Sequence, residues 1–389
     1  MDHFAGGRKE TEVMNRREWL KISGVAGVAS VWPLSGIAAS TEGSASPAAS
    51  QVNVELKRLN LRHTWTTTMS SSSYRDTVNV RYTRGGITGY GEGAPIIRYQ
   101  ELPAEAKQAI DANLGPISEG DPKIFWSFLS DIRKRLGDHQ RAAMAAVDIA
   151  VMDWVCKSLN VPLFEYFGLD PAATPLTTFS IGIDTPEITK QKTIEAADYP
   201  VLKVKVGLKT DEETIAAVRS VTKKPLRVDA NEGWTDKEEA IRKINWLETQ
   251  GVEFIEQPMP AHMFEETKYV RTKVHMPIMA DEACTSAASI PKLKEAYDGI
   301  NVKLDKAGGI LEAHRWIGMA RALDMKVMLG CMISSSCSCT AAAHLSPLVD
   351  FADLDGFLLI SNDPFSGVSV MKGKIILPTG PGLGLKVLD

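Results

Sequence analysis

Six charged residues stand where a folded chain tolerates charge least. Lys205, Asp229, Glu256, Asp281, Lys303 and Asp353 each lie at or just after the end of a short apolar run. Asp229, Glu256 and Asp281 form a set of oxygen donors with no His or Cys beside them. Brought together, three carboxylates repel one another unless a cation sits among them. Oxygen-only ligation selects a hard ion such as Mg²⁺, with positions left for water and substrate. Taken singly, each acid would also serve as a helix N-cap. Lys205 belongs to the run before the acids and Lys303 to the run after them, so the two would reach a metal-held molecule from opposite sides. A divalent ion and a second ammonium pull a lysine down from its ordinary pKa of about 10.4 toward neutrality, where it can act as a general base. Two such bases on opposite faces of one carbon can remove a proton from one side and return it to the other. That is racemisation or epimerisation beside a carboxylate. Lys203 precedes Lys205 by two residues and shares its face of the strand, where it would help neutralise the enediolate. Alone, such a K-x-K pair could equally be a solvated sheet face.

The spacing shows what must carry these residues. Positions 205, 229, 256, 281 and 303 are 24, 27, 25 and 22 residues apart, each step about one βα unit. The apolar runs 178–183, 201–206, 226–228, 254–255, 278–280, 300–304, 327–329 and 351–354 alternate with amphipathic helical stretches. Eight such units predict an α/β fold, a (β/α) barrel, whose chemistry sits at the C-terminal ends of the strands. Upstream, residues 52–95 alternate and carry turn signals, predicting an antiparallel meander. Residues 104–167 are helical in pattern, ending in Ala142–Leu159 with Gly168 as a stop. The expected organisation is an N-terminal α+β capping domain at 51–170, a barrel at 171–355, and a segment at 356–389 that completes the cap.

The chain has 389 residues, 44% hydrophobic and 24% charged, with a formal charge of −4, which argues against a nucleic-acid partner. Residues 1–50 stand apart. Asn15-Arg16-Arg17-Glu18-Trp19-Leu20-Lys21 precedes a weakly apolar run, Ile22 to Leu34, too short to span a bilayer. It resembles a twin-arginine export signal followed by a linker, although a disordered basic tail reads similarly. The expectation is a periplasmic or otherwise exported protein without a stable membrane anchor. The twin-arginine route carries folded proteins, which suits an enzyme that acquires its metal first. The five cysteines are odd in number and sit mostly among apolar or small residues, so they read as packing residues rather than a disulfide framework.

From about residue 52 onward the chain resembles the enolase superfamily, muconate-lactonizing subgroup, and within it the dipeptide epimerases of the L-Ala-D/L-Glu type. The likeness rests on Gly89-Tyr90-Gly91-Glu92, the helix Ala146–Ala150, K-x-K, D-A-N, E-Q-P, D-E and Ile300-Asn301-Val302-Lys303. It implies an isomerase with one Mg²⁺ per site and a dipeptide substrate; whether the chain forms a homo-oligomer stays open. It implies that Asp353 and Asp355, a D-x-D pair, bind the substrate's α-ammonium. It further implies that Ser180 meets the substrate carboxylate and that Arg75, in a mobile loop, binds an acidic side chain. One departure bears on side-chain specificity: relatives often carry an acid where this chain has Ser334. Alternatives are a cycloisomerase or an o-succinylbenzoate-synthase-like dehydratase, which need no D-x-D. Outside the family stand a Schiff-base lyase using one buried lysine, which needs no three-acid site, and a silent peptide-binding protein.

Overall fold

The structure, a computed structural model, describes residues 50–388. The export signal expected at the N-terminus lies outside these residues.

Three strands open the fold: β1 (Gln51–Thr66), β2 (Ser71–Arg84) and β3 (Ile87–Gly93), paired in sequence order and antiparallel. Gly85 and Gly86 form the two-residue turn between β2 and β3, both with positive φ, as such hairpins require. β3 alternates glycine with larger residues, and its glycines lie against the helix Arg141–Ser158. That helix presents Ala142, Ala146 and Ala150, four residues apart and therefore on one face. A Cβ on Gly91 would stand 2.0 Å from the Ala146 carbonyl oxygen, so strand and helix meet backbone to backbone. Glu92, between these glycines, must point away from the helix.

The barrel strands follow: β4 (Phe179–Ile181), β5 (Leu202–Lys205), β6 (Leu226–Asp229), β7 (Val252–Glu256), β8 (Ile278–Ala280), β9 (Gly299–Val302), β10 (Lys326–Gly330) and β11 (Phe351–Asp353). All eight expected strands are present, parallel and in sequence order, and a bridge between Thr177 and Ala352 joins the first to the last. The register sets Lys205 opposite Asp229, and Asp229 opposite Glu256. The functional side chains therefore share one rim.

Buried carboxylates join this rim to the meander and its helices. Glu92 accepts bonds from the backbone N–H groups of Ser335 and Ser338 and from the Ser335 hydroxyl, at the start of the helix Ser336–Ala343. Asp148 accepts the N–H of Ile310 at 2.6 Å, and Asp305 that of Ala94 at 2.7 Å. Each acid thus satisfies a donor at an element end that no helix or sheet partner could reach. After Asp355 the chain returns to the meander. Ser361 donates its N–H to the Asn60 carbonyl, and Leu383 donates to Asp153.

The glycine contact generates a stability prediction. Gly91→Ala should lower the unfolding free energy by about 3 kcal/mol, because neither backbone can move aside. Gly115→Ala, which meets nothing within 4 Å, should be neutral or slightly stabilising. Equilibrium urea unfolding measures both, and an unchanged midpoint for Gly91→Ala would refute the close-packing argument.

Candidate active site

The strand ends line a cavity of 560 Å³, roofed by the turn between β1 and β2 and by the segment 95–103. Asp281 lines it and Asp229 and Glu256 lie behind Lys203 and Lys205, all three acids buried and each offering an oxygen within 4.8 Å of the others. Lys205 Nζ lies 2.6 Å from Asp229 Oδ2, and Lys303 Nζ lies 2.6 Å from Asp281 Oδ2. The two lysines therefore flank the acids from opposite edges, as their chain positions suggest. Lys203 Nζ reaches Asp353 at 2.6 Å, Glu256 at 2.7 Å and Asp229 at 3.2 Å. The Glu256 contact is close but not aligned as a hydrogen bond, so Glu256 Oε2 keeps an unused lone pair at the centre of the triad. Three converging carboxylate oxygens, one of them without a hydrogen-bond donor, fit a hard divalent cation.

Neighbouring residues fix the acids. Asn301 donates to Glu256 Oε1 at 2.7 Å, and the Asn231 N–H donates to Asp229 Oδ1 at 2.9 Å. Gln257 Oε1 accepts the N–H groups of Asp281 and Ala283. Asn231, Glu232 and Gln257 all have positive φ, strain that the surrounding bonds must hold, directly behind two of the acids. Lys306, missed by the sequence reading, is fully buried and donates to Asp281 Oδ1 at 2.5 Å and to the Asp281 and Asn301 carbonyls. Its only signal was a second lysine one turn after Lys303. Glu232 was missed as well. It holds Arg98 through two short hydrogen bonds of 2.6 and 2.7 Å, tying the segment 95–103 to the rim. Thr68 ties down the other roof segment by donating to the Asn231 carbonyl.

Two family models match the chain: the mandelate racemase/muconate lactonizing enzyme N-terminal domain over residues 49–168, and the enolase C-terminal domain-like model over residues 188–389. The chain belongs to the enolase superfamily. It is 40% identical to the L-Ala-D/L-Glu epimerase of Bacteroides thetaiotaomicron, over 95% of this chain and 99% of that one. The substrate-liganded L-Ala-D/L-Glu epimerase of Bacillus subtilis superposes with a TM-score of 0.81 at 29% identity, covering 87% of this chain and 98% of that one. The dipeptide epimerase of Enterococcus faecalis, solved with Mg and L-Leu-L-Tyr, gives 0.82 at 31%, covering 87% and 99%.

Within this enolase-superfamily site the D-x-D residues differ from each other. Asp353 is fully engaged, by Lys203 on one oxygen and by Thr178 at 2.6 Å on the other. Asp355 accepts the Ser180 N–H at 2.6 Å, and its carboxyl is pushed up to about 7 by burial and by Asp353. Ser180 lines the cavity, its hydroxyl turned 3.3 Å from Asp353. Arg75 also lines the cavity but stands on β2 rather than in a loop, because the backbone of its serine-rich approach pairs with β1. Ser334 is buried beneath the cavity wall against the Met332 carbonyl and Cys339, and it does not line the cavity.

Burial lowers Lys303, but Asp281 and Glu256 outweigh it and hold the ammonium above its ordinary value. The fall expected of a catalytic lysine belongs to the site with its cation, whose charge would offset those acids. Burial and Asp229 push Glu256 up to about 7, whereas Asp281, although buried, is held well below the carboxylate range by Lys303 and Lys306.

A ligand-loss test follows. Glu256→Gln removes one donor while sparing the carboxylates hydrogen-bonded to Lys205, Lys303 and Lys306. Titration calorimetry should show Mg²⁺ affinity falling by more than about 100-fold, and added Mg²⁺ should no longer raise the melting temperature. Unchanged affinity would reject the triad as the metal site.

Proposed function

We propose that this chain is a Mg²⁺-dependent dipeptide epimerase that inverts the α-carbon of the C-terminal residue of an Ala-Glu-like dipeptide. The placement of Lys205 and Lys303 on opposite sides of the acid triad carries the reading. A single-base elimination or a Schiff-base mechanism needs only one of them. The metal, held by Asp229, Glu256 and Asp281, would offset negative charge developing on the substrate carboxylate. One lysine takes the α-proton, and the other delivers a proton to the opposite face. Lys203, already bonded into the acid cluster, stays charged and offsets the same developing charge. Recognition of the free α-ammonium falls mainly to Asp355, because Asp353 has both oxygens engaged. Ser180 positions Asp355 and meets the substrate beside it. Arg75 supplies the side-chain preference. Its buried Nε has no hydrogen-bond partner, so an acidic substrate side chain would satisfy it.

The two-lysine assignment is tested by hydrogen exchange in D₂O. Lys205→Ala and Lys303→Ala should each abolish net inversion. Each should still exchange the α-hydrogen of one epimer, and the two variants should prefer opposite epimers. Near-parental inversion by either variant would require a one-base mechanism instead.

Arg75→Met should lower kcat/KM for L-Ala-L-Glu by about 100-fold, the usual cost of leaving a charged group unpaired. Its effect on L-Ala-L-Leu should be small. Equal losses on both substrates would give Arg75 a structural role.

A further inference from the structure

Beside the catalytic cavity, across Trp65 and Ser180, lies a side chamber of 110 Å³. Trp65, Ser180, Ile333 and Leu359 line both spaces, so the chamber adjoins the D-x-D end of the site. Leu61 and Phe179 add apolar wall. At its rim His63 faces Glu195 at 3.4 Å, Lys192 bonds Asp184 at 3.0 Å, and Arg62 donates to the Leu358 carbonyl.

We propose that this chamber receives the side chain of the substrate's N-terminal residue and accepts apolar chains larger than a methyl group. The proposal rests on the dipeptide epimerase reading. Ser180 fixes the position, because its N–H holds Asp355 and the same residue lines the chamber. An ammonium at Asp355 places the N-terminal α-carbon one bond away and its side chain at the chamber's entrance. The volume sets the size limit. An apolar cavity of about 150 Å³ holds a benzene, so this space suits an isobutyl or thioether chain and excludes an indole. The apolar wall sets the chemistry, since desolvating a charged N-terminal side chain against Leu61, Phe179, Ile333 and Leu359 costs more than burying an apolar one.

The test measures α-deuterium uptake by the full-length, Mg²⁺-loaded protein on L,L-dipeptides ending in Glu and beginning with Gly, Ala, Leu, Met or Trp. Leu-Glu and Met-Glu should match or exceed Ala-Glu, and exceed Gly-Glu by about 10-fold in kcat/KM, with Trp-Glu poor. Leu61→Trp should fill the chamber, lowering Leu-Glu and Met-Glu by at least about 10-fold and leaving Gly-Glu within about threefold. Phe179→Ala should widen it and raise Trp-Glu. A parent that exchanges Ala-Glu but handles Leu-Glu and Met-Glu at least about 10-fold worse would overturn this proposal alone. So would a Leu61→Trp variant that slows every substrate alike while Phe179→Ala changes no preference. If no member of the series takes up deuterium, the epimerase reading falls, and this proposal with it.

Discussion

The mouth of the barrel is governed by charge balance among groups that cannot reach water. Six buried carboxylates (Asp229, Glu256, Asp281, Glu282, Asp353 and Asp355) face four buried ammonium groups (Lys203, Lys205, Lys303 and Lys306). Fully ionised, six against four leave a formal −2. The surplus appears in the acids with the weakest compensation: burial and neighbouring carboxylates push Glu256 and Asp355 up to about 7 and Glu282 up to about 8. Asp229, Asp281 and Asp353, each touching a lysine at 2.5 to 2.6 Å, are held below their ordinary values despite their burial. A divalent cation brings the cluster to neutrality. The same balance explains why the lysines come in such number. Removing any one of them leaves an uncompensated buried acid, a change that costs several kcal/mol.

Balance alone would not give geometry, because long side chains can satisfy one another in many arrangements. The turns directly behind the acids remove that freedom. Asn231, Glu232 and Gln257 are held with positive φ, and each spends its side chain on a neighbouring loop: Asn231 on Glu282, Glu232 on Arg98 and the Ala261 N–H, Gln257 on the backbone at Asp281. Strain at each of these positions costs of order 1–3 kcal/mol and persists only where the surroundings over-determine it. The same residues receive the roof, since Thr68 bonds the Asn231 carbonyl and Arg98 bonds Glu232. The ordering of the roof and the orientation of Asp229 therefore share one short stretch of backbone.

The barrel and its acids were legible in the sequence for a physical reason. Parallel strands covered on both sides must be apolar, so a charge recurring at the end of each one is conspicuous. Lys306 was not legible, because three residues after Lys303 it falls at ordinary helical spacing and resembles a solvated helix face. Only the fold reveals that this four-residue turn is enclosed. Arg75 was misplaced for a different reason. Its loop position came from the resemblance, whereas in this chain backbone pairing to β1 carries the segment through Ser71 and Ser72 as strand. Among the protein's own groups Lys303 stands high because Lys306 also binds Asp281 and presses it toward the ionised form.

The meander matters to the chemistry through a single alternation. Its glycines press β3 flat against the helix Arg141–Ser158, and the same period of two turns Glu92 the other way, into the barrel. There its carboxylate holds the first N–H groups of the helix Ser336–Ala343, which fixes the loop after β10. That loop contributes Ile333, a wall common to the catalytic cavity and its side chamber. Residues that never touch a substrate therefore set the width of the space that a substrate must fill. Their constraint runs from a helix carbonyl through a strand with no side chain to spare, and then through one buried acid.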